Sequence, residues 1–403
     1  MKRTSTCVRT WDERADPSVR TGVSLHSHTN HSKEVLDFIP DCASRIPIVS
    51  GFVRAEIERY EAGSGWKSDF SRAYWTPPVS SQMVFDAECA QIECDLGLRP
   101  LVSITDHDTI GAGLELNQKH PAATIPISVE WTVPFEGSHI HLGMHSLPPA
   151  LACDLMGDFA AYTAQPDEAT LAGLLARVNG ITDALVVLNH PLWDHRRVGA
   201  AQHVASVERF LRRHRDRIDA VEINGLRPWQ ENQDVLTLAD QCNVPAIAGG
   251  DRHGCQPNTV VNVTKADSWA EFVAEIRVDH RSAIWLLPEY WEPIGLRYLE
   301  GAADALRHYR TYPHGQRRFL DRVFVDIEDY GFHPLTFYWD GIPLWLTPVL
   351  ATVRALGGRR LRPLVRWALS SPTSHSREAA VLTPATGSGG HARINLQPNA
   401  VAE

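Results

Sequence analysis

Between positions 23 and 263, short apolar runs of strand length alternate with segments of helical period, and this alternation restricts the chain to few architectures. Strands are expected at 23–27, 101–105, 125–129, 139–144, 185–189, 220–223 and 246–249, with another near 259–263. Leu171, Leu174, Leu175 and Val178 recur at the spacing that lines one helix face. Val235, Leu236, Leu238 and Ala239 form a similar stripe, and Ser268 stands where an N-cap belongs ahead of Phe272, Val273 and Ile276. Strand–helix repetition of this kind builds an α/β protein with a parallel sheet or a (β/α) barrel.

The 403 residues suffice for one such barrel, placed at 21–288, with further parts around it. Residues 1–20 are polar and charged and read as a flexible arm. The stretch 41–99 interrupts the alternation and contains GSGWKSDFSRAYWTPPVS, which reads equally as a lid or as an irregular connector. A helix is expected after it, over about 83–96. Beyond 288 the pattern changes again. Phe319, Leu320, Val323, Phe324 and Ile327 mark an amphipathic helix, and 289–370 is expected to be helical and packed on the barrel. The mixture of Trp, Leu and Arg in 334–369 also fits a membrane surface, although Asp340, Pro343 and Pro348 interrupt it. The tail, 371–403, is rich in Ser, Thr, Gly, Pro and Ala and is expected to be disordered.

Lys and Arg number 39 against 48 Asp and Glu, a formal charge of −9 that disfavours unspecific nucleic-acid binding. Seven cysteines with no CxxC pair suggest neither a disulfide framework nor a zinc ribbon, and a cytoplasmic location fits them. No signal peptide and no bilayer-spanning run is expected.

The chain carries 19 histidines, and many fall at the ends of the expected strands. His26 and His28 are two apart, so a strand would put both imidazoles on one face. The run SITDHDT ends a strand in Asp106, His107 and Asp108, with Asp108 also suited to cap the next helix. Glu130 follows an apolar run; His139, His141 and His145 share parity, with His141 the preferred ligand and His139 close behind. His190 ends a run that Pro191 stops, and Asp251 and His253 follow a glycine pair expected to let the backbone turn sharply. Separate partners for so many buried imidazoles and carboxylates would each be costly to supply, whereas shared cations satisfy them together.

In this order LHSHT, ITDHDT, SVEWT with HIHLG, LNHP and GGDRH resemble the polymerase and histidinol phosphatase (PHP) family, over roughly residues 23–254. The resemblance implies a distorted (β/α)7, TIM-like barrel of the PHP type with a C-terminal helical extension. It implies two or three divalent metal ions at the C-terminal rim and hydrolysis of a phosphate ester on a small phosphorylated substrate. His26 and His28 would hold the first ion and Asp251 complete it, with Glu130 bridging to a second held by His141 and His190. His107 and His253 would hold a third, with a ligand just after the first motif. There the family often reads HTxxSDG, whereas this chain reads HTNHSKE. Lys33 has no lone pair to offer, so Glu34 is the expected ligand and His31 the alternative.

The chemistry implied is metal-assisted hydrolysis, and the mixed ligand set suits Zn, Mn or Fe. Asp106 is expected to orient the water or a ligand imidazole, and Arg252, Arg196, Arg197 and Lys33 are candidate phosphate clamps or ordinary surface charges. Tyr74, Trp75 and Trp193 could stack on a base or simply pack. Two other readings compete: an amidohydrolase-like C–N or C–O hydrolase, and a non-catalytic PHP-like binding domain.

Overall fold

The structure, a computed structural model, describes residues 4–370 apart from 13–15, 45–46, 66, 122–124, 309–317, 328–330, 338–341, 343 and 345. The expected disordered tail lies outside the described residues. Ten strands make two sheets. The first runs β1 (Ser5–Thr10), β12 (Arg281–Leu286), β11 (Val260–Thr264), β2 (Thr21–Leu25), β5 (Arg99–Ser103). The second runs β10 (Ala246–Gly249), β9 (Ala220–Asn224), β8 (Leu185–Asn189), β7 (Ser138–His145), β6 (Val129–Phe135). A third, smaller sheet is ordered β14 (Gly331–Pro334), β13 (Val323–Ile327), β4 (Ala73–Trp75), β3 (Glu34–Val35).

The protein is therefore mixed α/β, and none of its sheets closes into the expected barrel. The two large sheets meet along two seams instead. At one, Gly250 N donates to Leu25 O (2.9 Å), Asp251 N to His26 O (2.6 Å) and His28 N to Arg252 O (2.7 Å). At the other, Glu130 N donates to Asp106 O (3.1 Å) and Asp108 N to Glu130 O (2.9 Å). Both seams lie just beyond the ends of β2, β5 and β10, where the His and acid clusters of the sequence sit.

Helices cover the sheets with the faces that periodicity marks out. In the helix Glu168–Asn179, Leu171, Leu174, Leu175 and Val178 are buried; in Trp229–Cys242, Val235, Leu238 and Ala239 are. Each Leu or Val side chain so removed from water contributes about 1.5–3 kcal/mol. Ser268 caps the helix Trp269–Arg277, accepting from Glu271 N at 3.3 Å. Trp131 on β6 stacks on Phe159 at 4.3 Å between ring centroids. No helix among the described residues is long and apolar enough to cross a membrane.

Several sequence expectations need correction. Ser5–Thr10 is not an arm but an edge strand in parallel register with β12. Its polar residues belong there because one side of an edge strand faces solvent. The strand expected at 125–129 starts only at Val129, since Pro126 cannot donate to a ladder; it continues into a hairpin through Glu136 and Gly137, both at positive φ (46° and 83°). The helix expected over 83–96 is Ser81–Ala90, followed by a wider turn over Gln91–Asp95. The amphipathic helix expected from Phe319 is a short turn, Phe319–Arg322, and then β13. Val323, Phe324, Val325 and Ile327 are β-branched or aromatic, and pairing with β4 and β14 overrides helical spacing. The region after 288 is accordingly not all helical: it supplies half of the third sheet.

That sheet matters for position. Glu34 on β3 pairs with Trp75 on β4, which in turn pairs with Val323 on β13. The insertion and the C-terminal region thus jointly hold the segment that carries Glu34.

Candidate metal centre

Glu130 lies at the centre of the cleft, completely buried. Its Oε2 is 3.0 Å from His26 Nε2, 3.4 Å from His28 Nε2 and 3.4 Å from His107 Nδ1. Its Oε1 is 3.0 Å from His190 Nε2 and 3.4 Å from His141 Nδ1. Asp251 Oδ1 closes the first side, 3.4 Å from His28 Nε2 and 3.7 Å from His26 Nε2. Glu34 Oε2 stands on the other, 3.4 Å from His107 Nε2 and 3.2 Å from His253 Nε2.

Three overlapping groups can each hold an ion: His26, His28 and Glu130; His107, Glu130 and His141; and His28, Glu34, His107 and His253. Two donors about 2.1 Å from one cation at a tetrahedral angle lie ~3.4 Å apart, close to the separations observed. The donor set fits on a second count. His26 Nε2, His28 Nε2, Glu130 Oε2 and His141 Nδ1 are buried and have no hydrogen-bond partner. An unsatisfied buried donor or acceptor costs about 1–3 kcal/mol, and cations in two adjacent groups that share Glu130 would satisfy all four.

The opposite ring nitrogens are tied down, which aims the free ones. Burial opposes charge on His26, but Glu130 and Glu222 raise it well above its ordinary value; with Glu222 Oε2 2.6 Å from Nδ1, a cation displacing the Nε2 proton would meet a ring held by its Nδ1–H. His253 Nδ1 donates to Asp251 O at 2.9 Å, and His28 Nδ1 meets Ser32 Oγ at 3.2 Å. Asn189 Nδ2 donates to Glu130 Oε1 at 3.0 Å.

The backbone adopts unusual conformations to place these groups. His26 (φ 64°), His190 (φ 24°) and Asp251 (φ 55°) all lie in the left-handed region. Non-glycine residues adopt it at a cost of roughly 1 kcal/mol or more, and such strain concentrates at functional sites. The glycine pair before Asp251 does not supply a sharp turn, as expected from sequence: neither glycine has positive φ. A Cβ on Gly249 would collide with Glu222, and one on Gly250 with Asn258, so the pair makes room for side chains.

Electrostatics follow from mutual burial. Burial opposes charge on Glu130, but His26, His107 and His141 outweigh it and hold its carboxyl well below the usual range. Asp251 is likewise held low against burial, by His28, His26 and His253. Burial disfavours charge on His253, yet Glu34 and Asp251 raise it to about 9. Burial, His253 and His107 keep His28 below its ordinary value, which favours a neutral ring with a lone pair.

Other residues singled out in the sequence lie elsewhere. Asp106 does not reach the donor cluster: its carboxylate accepts from Thr29 N (2.5 Å) and Thr29 Oγ1 (2.8 Å), bracing the loop after His28. Asp108 is not a helix cap but accepts from Thr132 N on β6 at 2.8 Å, reinforcing the second seam. His31 turns outward to Glu115 (2.8 Å). Lys33 is exposed, its Nζ 5.4 Å from the Tyr74 ring centroid. His145 bonds Ser103 Oγ (2.8 Å), while His139 meets Arg196 Nη1 (3.2 Å). Arg252 points to a separate cavity that it lines with Glu88 and Cys255. Sequence reasoning missed Glu222, Asn189 and Ser32. Asn189 had a signal of the kind used for the ligands, since it ends an apolar strand, whereas Glu222 lies in the middle of β9.

No family model and no curated protein sequence matches the chain. Solved structures give partial likenesses. An amidohydrolase from Chromobacterium violaceum, with sulfate bound and no metal, is 16% identical over 44% of this chain and 83% of its own, with a TM-score of 0.28. A protein described as a candidate metal-dependent phosphoesterase from Bifidobacterium adolescentis is 16% identical over 45% and 85%, at 0.30. PsfC from Pseudomonas syringae is 12% identical over 67% and 93%, at 0.36. Scores this low leave the functional reading to the side chains of this chain.

Proposed function

We propose that the chain is a metal-dependent hydrolase of phosphate esters, built on an opened version of the PHP-type barrel. The observation that carries this is the set of buried ring nitrogens without a hydrogen-bond partner on the two sides of the Glu130 carboxylate, His26 Nε2 and His28 Nε2 at Oε2 and His141 Nδ1 at Oε1. Bound divalent cations would supply a water of lowered pKa and charge stabilisation for a phosphoryl group. Glu130 would join the ions of neighbouring sites; His26, His28 and Asp251 would hold one, and His141 and His190 another. Glu34, His107 and His253 form the place for a third. Glu222 would orient the His26 ring through Nδ1, and Asn189 Nδ2 donates to Glu130 Oε1. Trp75 lies beside that third place, its ring centroid 6.2 Å from that of His253. Zn, Mn and Fe all suit this donor set.

The amidohydrolase-like reading is less well supported, because that class usually bridges its metals with a modified lysine. Among the described residues every lysine is exposed, and Glu130 occupies the central position. A panel of phosphomonoesters, phosphodiesters and amides, assayed with added Mn, separates the alternatives. Phosphate release that is abolished by chelator and by His28→Ala is expected. Turnover of amides alone would favour the amidohydrolase, and a metal-replete protein inert to the whole panel would favour a binding domain.

A further inference from the structure

Beside His190 the rim carries a buried cation that the metal centre does not use. Arg227 follows β9 by three residues and is 7% exposed. Its guanidinium carbon lies 3.6 Å over the Trp193 ring. The group makes no hydrogen bond or ion pair with any described residue, and its Nε is buried without a partner. The carboxylate that feels it most, Glu231, also feels His190 but forms no ion pair with Arg227, and its own Oε1 is unpartnered. Arg297, which donates to Gly225 O, adds a second cation close by.

The platform under the guanidinium is fixed. Trp193 N donates to His190 O at 2.9 Å, and the Asp194 carboxylate accepts from Val198 N (3.0 Å) and Gly199 N (2.7 Å), closing the loop behind it. Trp193 also lines a small cavity together with His139, His141, His190 and His195. A planar fork of donors, desolvated and already oriented by stacking, suits two oxygens of one tetrahedral anion.

We propose that Arg227, stacked on Trp193, binds the phosphoryl oxygens of the substrate at the edge of the metal centre. This rests on the phosphoesterase reading for the identity of the anion. Arg252, the clamp expected from sequence, lines a different cavity and does not fill this role.

The test is calorimetric titration of inorganic phosphate into the metal-loaded full chain, with metal content measured for each variant. Arg227→Ala is expected to weaken phosphate binding about tenfold or more at unchanged metal content. Arg227→Lys keeps the charge but not the fork and should recover only part of the loss. Trp193→Ala should weaken binding by a smaller factor, and added guanidinium ion should partly restore Arg227→Ala. Unchanged phosphate affinity in Arg227→Ala, or full recovery in Arg227→Lys, overturns the proposal. Should Arg227→Ala lose metal or fold, the partial defect of Arg227→Lys decides. A wild-type protein that binds no metal, or releases no phosphate from any ester, contradicts the hydrolase reading instead; an affinity indifferent to Arg227 in a working phosphoesterase contradicts this proposal alone.

Discussion

Glu130 and Glu88 are both almost wholly buried, yet their surroundings treat charge in opposite ways. Glu130 is ringed by imidazoles that outweigh burial and hold it ionised. Glu88 accepts from Ser24 Oγ (2.7 Å) and Asn258 N (3.0 Å), and burial prevails over these neutral donors and Arg252, pushing its carboxyl up to about 7. Histidines divide in the same manner. His203 has both nitrogens occupied, by Ser138 Oγ (2.8 Å) and Pro191 O (3.0 Å), while His26 has one nitrogen on Glu222 and the other unpartnered. Burial alone therefore does not mark a site. The marks are unused lone pairs and a carboxylate kept ionised at depth.

The largest test of this contrast sets Glu130→Ala against His203→Ala. The first is expected to lose bound metal and at least ~10³-fold in phosphate release, since it removes a ligand shared between sites. The second should retain both and lose only stability, about 1–3 kcal/mol for the groups left unpaired. Metal analysis and denaturant melts of the two variants check this, and equal metal loss would break the distinction.

Glu88→Gln sharpens the carboxylate half. A folded-state pKa raised from 4.5 to about 7 means that the native protein holds the proton more tightly than the unfolded chain. Its stabilising effect is complete below about pH 4.5 and fades as pH rises through 7. The glutamine variant lacks this loss. Relative to wild type, it should gain about 3 kcal/mol between pH 4.5 and pH 8.5, read from urea midpoints. A constant difference across that range would contradict the assignment.

The smallest effect is expected at Glu222→Gln, which leaves every direct donor in place but loosens the His26 ring. Metal affinity should fall about 10–100-fold, measured by competition with a chelating dye. No change would make Glu222 a packing residue only.

His26, His190 and Asp251 were readable because they follow strand-length apolar runs, and a strand end is where a side chain can leave the sheet and enter a cleft, whereas Glu130 and His141 lie within β6 and β7. His28, His107, Glu130, Asp251 and Glu34 meet although up to 223 positions separate them, a span that runs from His28 to Asp251. What could not be read was pairing at a distance. Nothing local in VFVDI says that it will pair with β4 rather than coil, and nothing in SHTNHSKE says that β4 will hold Glu34 inward while His31 turns to Glu115. Arg227 was missed for the same reason: its meaning comes from Trp193, which meets it only in the folded chain. The barrel expectation failed at the seams, where a few backbone bonds join two sheets and no sequence pattern distinguishes a closed ladder from a nearly closed one.

Anomalous X-ray diffraction from metal-loaded crystals tests the central claim most directly. The expected result is at least two scattering peaks in the cleft, the first within about 2.0–2.3 Å of His26 Nε2, His28 Nε2 and a Glu130 oxygen. Crystals of metal-replete protein with no anomalous peak near Glu130, or with ions only at surface carboxylates, would contradict it.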